Sequence, residues 1–159
     1  MTWDNFFTAE VGAAAALAGL VFVGISINLQ RIIALPVIAN RAFQSLLLLL
    51  AILGVESILL VPGQTAPEQG VEVLVVAALT VGALNALEWR SWKIVDPKIR
   101  RLLAQHTLEI QAPTVLLVLG AAFLLVSSPW SLYWFLPATL VGFLIALVEA
   151  WVITVEILR

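Results

Sequence analysis

Residues 6–28 read FFTAEVGAAAALAGLVFVGISIN. Glu10 is their only charge, and they hold no proline. A helix rises 1.5 Å per residue, and the hydrocarbon core of a bilayer takes about 20 apolar residues to cross. The segment is therefore read as a membrane span. It lacks the basic flank of a secretory signal, carrying Asp4 and Glu10 instead, and its apolar run is too long for one, so a retained first helix is expected.

Working outward, four more stretches have the same character: 42–61, 71–87, 112–126 and 132–158. The breaks between them hold Leu35-Pro36, Val61-Pro62-Gly63-Gln64, Asp96-Pro97 and Ser127-Ser128-Pro129, all turn chemistry. The expected fold is all-α, a polytopic membrane protein forming one domain of five transmembrane helices. Composition agrees. Of 159 residues 62% are apolar and only 11% charged, too few charges to cover a water-soluble surface. A soluble enzyme, a disordered regulator and a nucleic-acid-binding domain are excluded on that ground. The chain has no cysteine, so disulfides, thiolate metal sites and thiol nucleophiles are excluded as well.

The basic residues set an orientation. Arg31, Arg41, Arg90, Lys93, Lys98, Arg100, Arg101 and Arg159 all fall on one side of a five-span chain, while Asp4, Glu68 and Glu72 fall on the other. Lys and Arg mark the cytoplasmic side, which predicts the N-terminus outside and the C-terminus inside. Trp3, Phe6, Phe7, Trp130, Tyr133 and Trp134 then lie at the outer interface, with Trp89, Trp92 and Trp151 at the inner one. Amphipathic rings prefer those depths. Size and composition alone suggest a bacterial cytoplasmic membrane.

Between spans three and four, Asp96-Pro97 supplies an N-cap and a first helical residue. Ile99, Leu102, Leu103, His106 and Ile110 follow on one face, and Lys98, Arg101, Gln105 and Glu109 on the other. This predicts an amphipathic cytoplasmic helix over 97–111, lying on the membrane or running into span four with Pro113 at the joint. Arg90, Lys93, Lys98, Arg100 and Arg101 are expected to face anionic lipid, each contributing on the order of 1 kcal/mol. His106, the sole histidine, reads as an interfacial side chain.

Glu10, Glu56 and Glu149 fall within spans, where a charge must be neutralised, paired or hydrated. Glu10, Glu56 and Glu72 lie at one shallow outer level and form a candidate acidic vestibule suited to hard cations. Asn28 shares a helix face with Glu10, being five turns further on. Ala78, Gly82, Asn85 and Glu88 form a stripe in span three; Thr139, Gly142, Ala146 and Glu149 form one in span five. Ser45 and Glu56 share a face of span two. These faces are expected to line the interior of the bundle. Glu88, Glu109 and Glu149 match Arg31, Arg41 and Arg90 in depth, so inner ion pairs are expected. The ion-pathway candidates are thus Glu10, Glu56, Glu72, Asn28, Asn85, Glu88 and Glu149. Gly12, Ala16, Gly19, Gly24, Gly82 and Gly142 are candidates for close helix packing. Small residues around most of the first helix suggest that protein surrounds it, either as the centre of the bundle or at an interface with another subunit.

No phosphate-binding glycine loop, nucleophile elbow, His pair or internal repeat is present, so neither an enzyme, a metal, a cofactor nor a single-chain inverted-repeat transporter is expected. The leading expectation is an oligomeric channel or transporter for cations or protons that uses the intramembrane carboxylates. The alternative is a non-catalytic accessory or scaffold subunit of a larger membrane complex. A lipid-handling role for the basic helix is a third. The expected partners are the lipid bilayer, further copies or a larger membrane complex, and a cation; nucleic acid is not among them.

Overall fold

The computed structural model describes residues 3–96, 98 and 100–152. Pro97, Ile99, the last part of the fifth stretch (153–158) and Arg159 lie outside them, as does the Leu102 side chain. The described residues form helices joined by turns, with no strand: α1 Trp3–Ile27, α2 Leu29–Ile33, α3 Pro36–Leu59, α4 Ala66–Ile94, α5 Arg100–Leu125 and α6 Phe135–Trp151, the last preceded by a 3₁₀ turn at Ser131–Trp134. Five helices are long and apolar enough to cross a membrane. That architecture is compatible with an integral membrane protein.

Local chemistry explains the boundaries. Pro36 opens α3 and a proline lies in the first turn of α4, where a missing N–H costs nothing. Thr65 and Glu68 form a capping box, the Thr65 N–H donating to Glu68 Oε2 at 2.7 Å. Gly63, with φ of 81°, lets the preceding loop turn. At the end of α5 the Ser127 N–H donates to the Leu124 carbonyl and the Ser128 N–H to that of Phe123. That is a Schellman closure with Ser127 at the left-handed position, φ 52°. Ser127→Gly is expected to stabilise the protein by about 1 kcal/mol by relieving that conformation; an unchanged thermal midpoint in detergent would show no such strain.

No helix distinct from the spans lies between α4 and α5 among the described residues; of the two forms expected for the segment, it takes the second, residues 100–111 being the first part of α5, which runs unbroken through Pro113. Its two faces are nonetheless distinct. Leu103, His106 and Ile110 are buried, whereas Arg101, Gln105 and Glu109 are exposed.

The centre of the bundle is α3, which contacts α1, α4 and α6, while α5 packs between α4 and α6. In their most apolar stretches α3 is 56% buried and α1 only 11%. The first helix is therefore peripheral within this chain and not the core of the bundle. Its exposed Leu20, Phe22 and Val23 suit a lipid surface.

Four apolar groups line the bundle. Phe7, Val55, Leu59, Val73, Leu117 and Phe135 fill the end where Trp3 meets Tyr133 edge-on at 4.9 Å. Ala14, Leu48, Ile52, Leu84 and Ile110, all with no exposure, fill the middle. Val21, Leu49 and Ala146 pack beside the middle group, and Ile32 with Ala42 lie beyond them near the start of α3.

Close helix crossings fall at Gly70, Gly120 and Gly142. A Cβ on Gly70 would lie 2.9 Å from the Leu125 backbone nitrogen, one on Gly120 2.8 Å from the Phe135 ring, and one on Gly142 would overlap the tip of Ile52. Gly12, Gly19 and Gly82 have open space instead, and Ala16 is exposed. Gly24 is half-buried and accepts a bond from the Asn28 side chain at 3.1 Å. Gly70→Ala should cost about 1–3 kcal/mol because backbone must move. Gly82→Ala should be neutral or stabilising by up to about 1 kcal/mol. Unfolding both variants in the same detergent checks the contrast, and equal midpoints would contradict it.

Candidate functional site

Four helices deliver polar side chains to one point at the end of the bundle that carries the basic residues. Arg41 and Gln44 are one turn apart on α3 and share a face. Glu88 lies on the buried seam of α4 that runs Gly70, Val73, Ala77, Thr80, Leu84, Glu88 and Ser91. His106 and Thr107 come from α5 and Glu149 from α6. Gln44, Glu88, His106 and Glu149 are all buried.

Arg41 grips Glu149 with a two-pronged pair: Nε donates to Oε2 at 2.9 Å and Nη2 to Oε1 at 2.7 Å. His106 bridges the two carboxylates, with Nε2 3.1 Å from Glu149 Oε1 and Nδ1 3.2 Å from Glu88 Oε1. Gln44 Nε2 donates to Glu88 Oε1 at 2.8 Å, and the Thr107 hydroxyl to Glu88 Oε2 at 2.8 Å. All four carboxylate oxygens thus have partners. An imidazole ring with a carboxylate acceptor at each nitrogen needs two protons in the bridge. With both on the ring, the charges of Arg41, His106, Glu88 and Glu149 sum to zero.

A second, smaller site lies near the opposite end of α3. Glu56 is 1% exposed and accepts a hydrogen bond at Oε1 from the Thr139 hydroxyl of α6, at 2.6 Å. Its Oε2 has no partner. Glu10 is half-buried on α1, which packs against α3.

The remaining sequence candidates are placed apart. Glu72 is exposed and bound by Gln64 Nε2 at 2.9 Å, so it does not join Glu10 and Glu56 in a ring. Asn28, between α1 and α2, is buried but bonds back to the Gly24 carbonyl of α1. Asn85 is exposed and accepts from Gln111 Nε2 at 3.1 Å. In the α4 stripe Ala78 and Gly82 are exposed too, leaving only Glu88 inside. Thr139, Gly142, Ala146 and Glu149 are all buried.

Of the inner ion pairs foreseen, Arg41–Glu149 forms. Glu88 takes His106 in place of an arginine. Glu109, Arg31 and Arg90 are exposed and make no ion pair among the described residues. Arg90, Lys93, Lys98, Arg100 and Arg101 are all exposed, Lys93 lying over the Trp89 ring at 5.3 Å.

The bridging role of His106 and the parts played by Gln44 and Thr107 emerge only in the folded chain. A signal was present: His106 shares a helix face with Leu103 and Ile110, and Gln44 is a lone amide within the apolar stretch 42–61.

The described residues hold no group of three or more His, Cys, Asp or Glu side chains arranged for a metal ion. The two sites are separated by the middle apolar layer. Each holds buried polar groups, and the apolar side chains of Ala14, Leu48, Ile52, Leu84 and Ile110 lie between them. Comparison with family models, curated proteins and solved structures finds no match for this chain.

Proposed function

We propose that this protein moves protons or small cations across a bilayer as an oligomer, with the buried carboxylates as its ion-handling groups. One observation carries the reading. The central helix α3 holds polar groups of a buried site near each end, Glu56 at one and Arg41 with Gln44 at the other, about 18–22 Å apart at helical rise. Burying Glu56 beside one end of this helix, and Glu88 with Glu149 beside the other, is costly, and such groups mark ion and proton paths. The layer of Ala14, Leu48, Ile52, Leu84 and Ile110 is the closed gate of this state, an apolar constriction between two polar sites. One five-helix bundle is narrow for a pore, so the path runs along or between subunits.

The same reading sets the N-terminus outside and the C-terminus in the cytoplasm of a bacterial membrane, by the one-sided placement of Lys and Arg. Arg90, Lys93, Lys98, Arg100 and Arg101, the last two opening α5, rest on anionic headgroups. The test is flux through purified protein in liposomes. Glu56→Gln and Glu10→Gln are expected to reduce it at least tenfold and about threefold respectively, in proportion to burial. Wild-type flux in both variants would remove the carboxylates from the mechanism.

A second reading, a non-catalytic accessory subunit of a larger complex, has its own support. Every carboxylate oxygen of the Glu88–His106–Glu149 bridge is satisfied, as in a structural lock, and the peripheral α1 offers small side chains to a neighbour. It predicts that gentle extraction and native mass spectrometry recover this chain in fixed ratio with another protein. Recovery solely as homo-oligomers would count against it.

A further inference from the structure

We infer that the ion bound at Glu56 is a proton and not a metal cation. The inference deepens the transport reading by naming its ion.

The surroundings of Glu56 supply few oxygens. Thr139 already spends its hydroxyl proton on Oε1, and its own oxygen is the sole neutral ligand from α6 that bonds the group. Glu10 is a half-buried charged residue of α1, which packs against α3. The chain neighbours Val55 and Leu59 pack in an apolar layer with Val73 and Ala77 of α4, Leu117 and Ala121 of α5, and Phe135 and Ala138 of α6. Those residues have no side-chain oxygen to offer. Hard cations take about six or more oxygen ligands in a shell around the ion. Two carboxylates and one hydroxyl fall well short of that, and no group of three metal-binding side chains exists among the described residues.

A proton needs much less. It sits on one oxygen and removes the negative charge that burial penalises. The unpartnered Oε2 is the atom available for it, since Oε1 is engaged by Thr139. A buried carboxyl with one hydrogen bond and one open oxygen is therefore a proton carrier by geometry.

A hydrophobic carbodiimide tests this on the intact protein. The carboxylic O–H adds across a C=N bond of the reagent, the oxygen bonding to carbon and the proton going to nitrogen. The O-acylisourea rearranges to a stable N-acylurea, so the chain gains the whole reagent mass. Purified protein in detergent is treated with dicyclohexylcarbodiimide in choline chloride, in sodium chloride and in calcium chloride. Adducts are then located by peptide mass spectrometry.

The expected result is one adduct per chain, on Glu56, at the same rate in all three salts. Glu56→Gln should lose it. Thr139→Val, which removes the hydrogen bond without touching the carboxyl, should keep it and label at least as fast. Slowing by sodium or calcium would overturn the inference in favour of a cation site. Labelling of other carboxyls with none on Glu56 would overturn it outright. The readout is independent of transport: an adduct on Glu56 without flux keeps the proton and rejects the transport reading, and flux without the adduct does the reverse.

Discussion

His106→Leu will destabilise the protein by about 3–5 kcal/mol, the cost of removing one partner from a buried charge network. The ring stands between Glu88 Oε1 and Glu149 Oε1, at 3.2 and 3.1 Å, and all three side chains are buried. Leucine fills much of the volume but returns neither hydrogen bond. Two carboxylates then face one gap in a low-dielectric setting, with Arg41 left to hold only one of them. The loss should be partly undone by pairing His106→Leu with Glu88→Gln. That second change removes the carboxylate whose remaining partners are the neutral Gln44 and Thr107. Thermal or denaturant unfolding in one detergent measures both. A drop within about 0.5 kcal/mol for the single variant, the range of an ordinary surface substitution, would mean that the bridge carries no weight.

Ile110→Asn will open a leak. Ile110 has no exposure and sits in the apolar middle layer with Ala14, Leu48, Ile52 and Leu84. An amide there lacks partners and recruits water, provided the layer can spread to admit it. If the layer is the gate between Glu56 and the His106 cluster, wetting it lowers the barrier to ions. About 1.4 kcal/mol off that barrier raises the rate tenfold. A tenfold or larger rise in flux relative to wild type is expected, alongside a loss of stability. Folded Ile110→Asn protein with unchanged flux would show that ions do not cross this layer.

Much of the architecture is legible because length and hydropathy alone mark helices able to cross a bilayer. A span needs about 20 apolar residues, and five such stretches separated by Pro and Gly turns leave little choice. The helices overrun those stretches, α4 extending to Ile94, because helical hydrogen bonding continues into polar flanks where hydropathy falls. Which face turns inward is harder to read. In water an apolar stripe marks the core. In lipid both the core and the outside are apolar, so small residues are the remaining guide, and an ambiguous one. On α6 the stripe Thr139, Gly142, Ala146, Glu149 is the buried face. On α4 the seam is turned away from Ala78 and Gly82 and runs through Ala77, Thr80 and Leu84.

The sites divide the same way. Arg41 and Glu149 have opposite charge at equal depth, and depth can be counted along each helix. The His106 bridge depends on how α5 is rotated between α4 and α6, and spacing along one helix does not determine rotation relative to two others. Glu72 illustrates the converse. Its depth suited a ring with Glu10 and Glu56, yet its side chain turns to Gln64 at the start of the helix.

The most direct test is ion flux through the purified wild-type chain in sealed liposomes of defined lipid, against empty liposomes and liposomes holding Glu56→Gln. The account predicts that wild-type protein dissipates an imposed proton gradient and that the variant does so at least tenfold more slowly. Wild-type liposomes as tight as empty ones, with the protein shown to be folded and inserted, would contradict it.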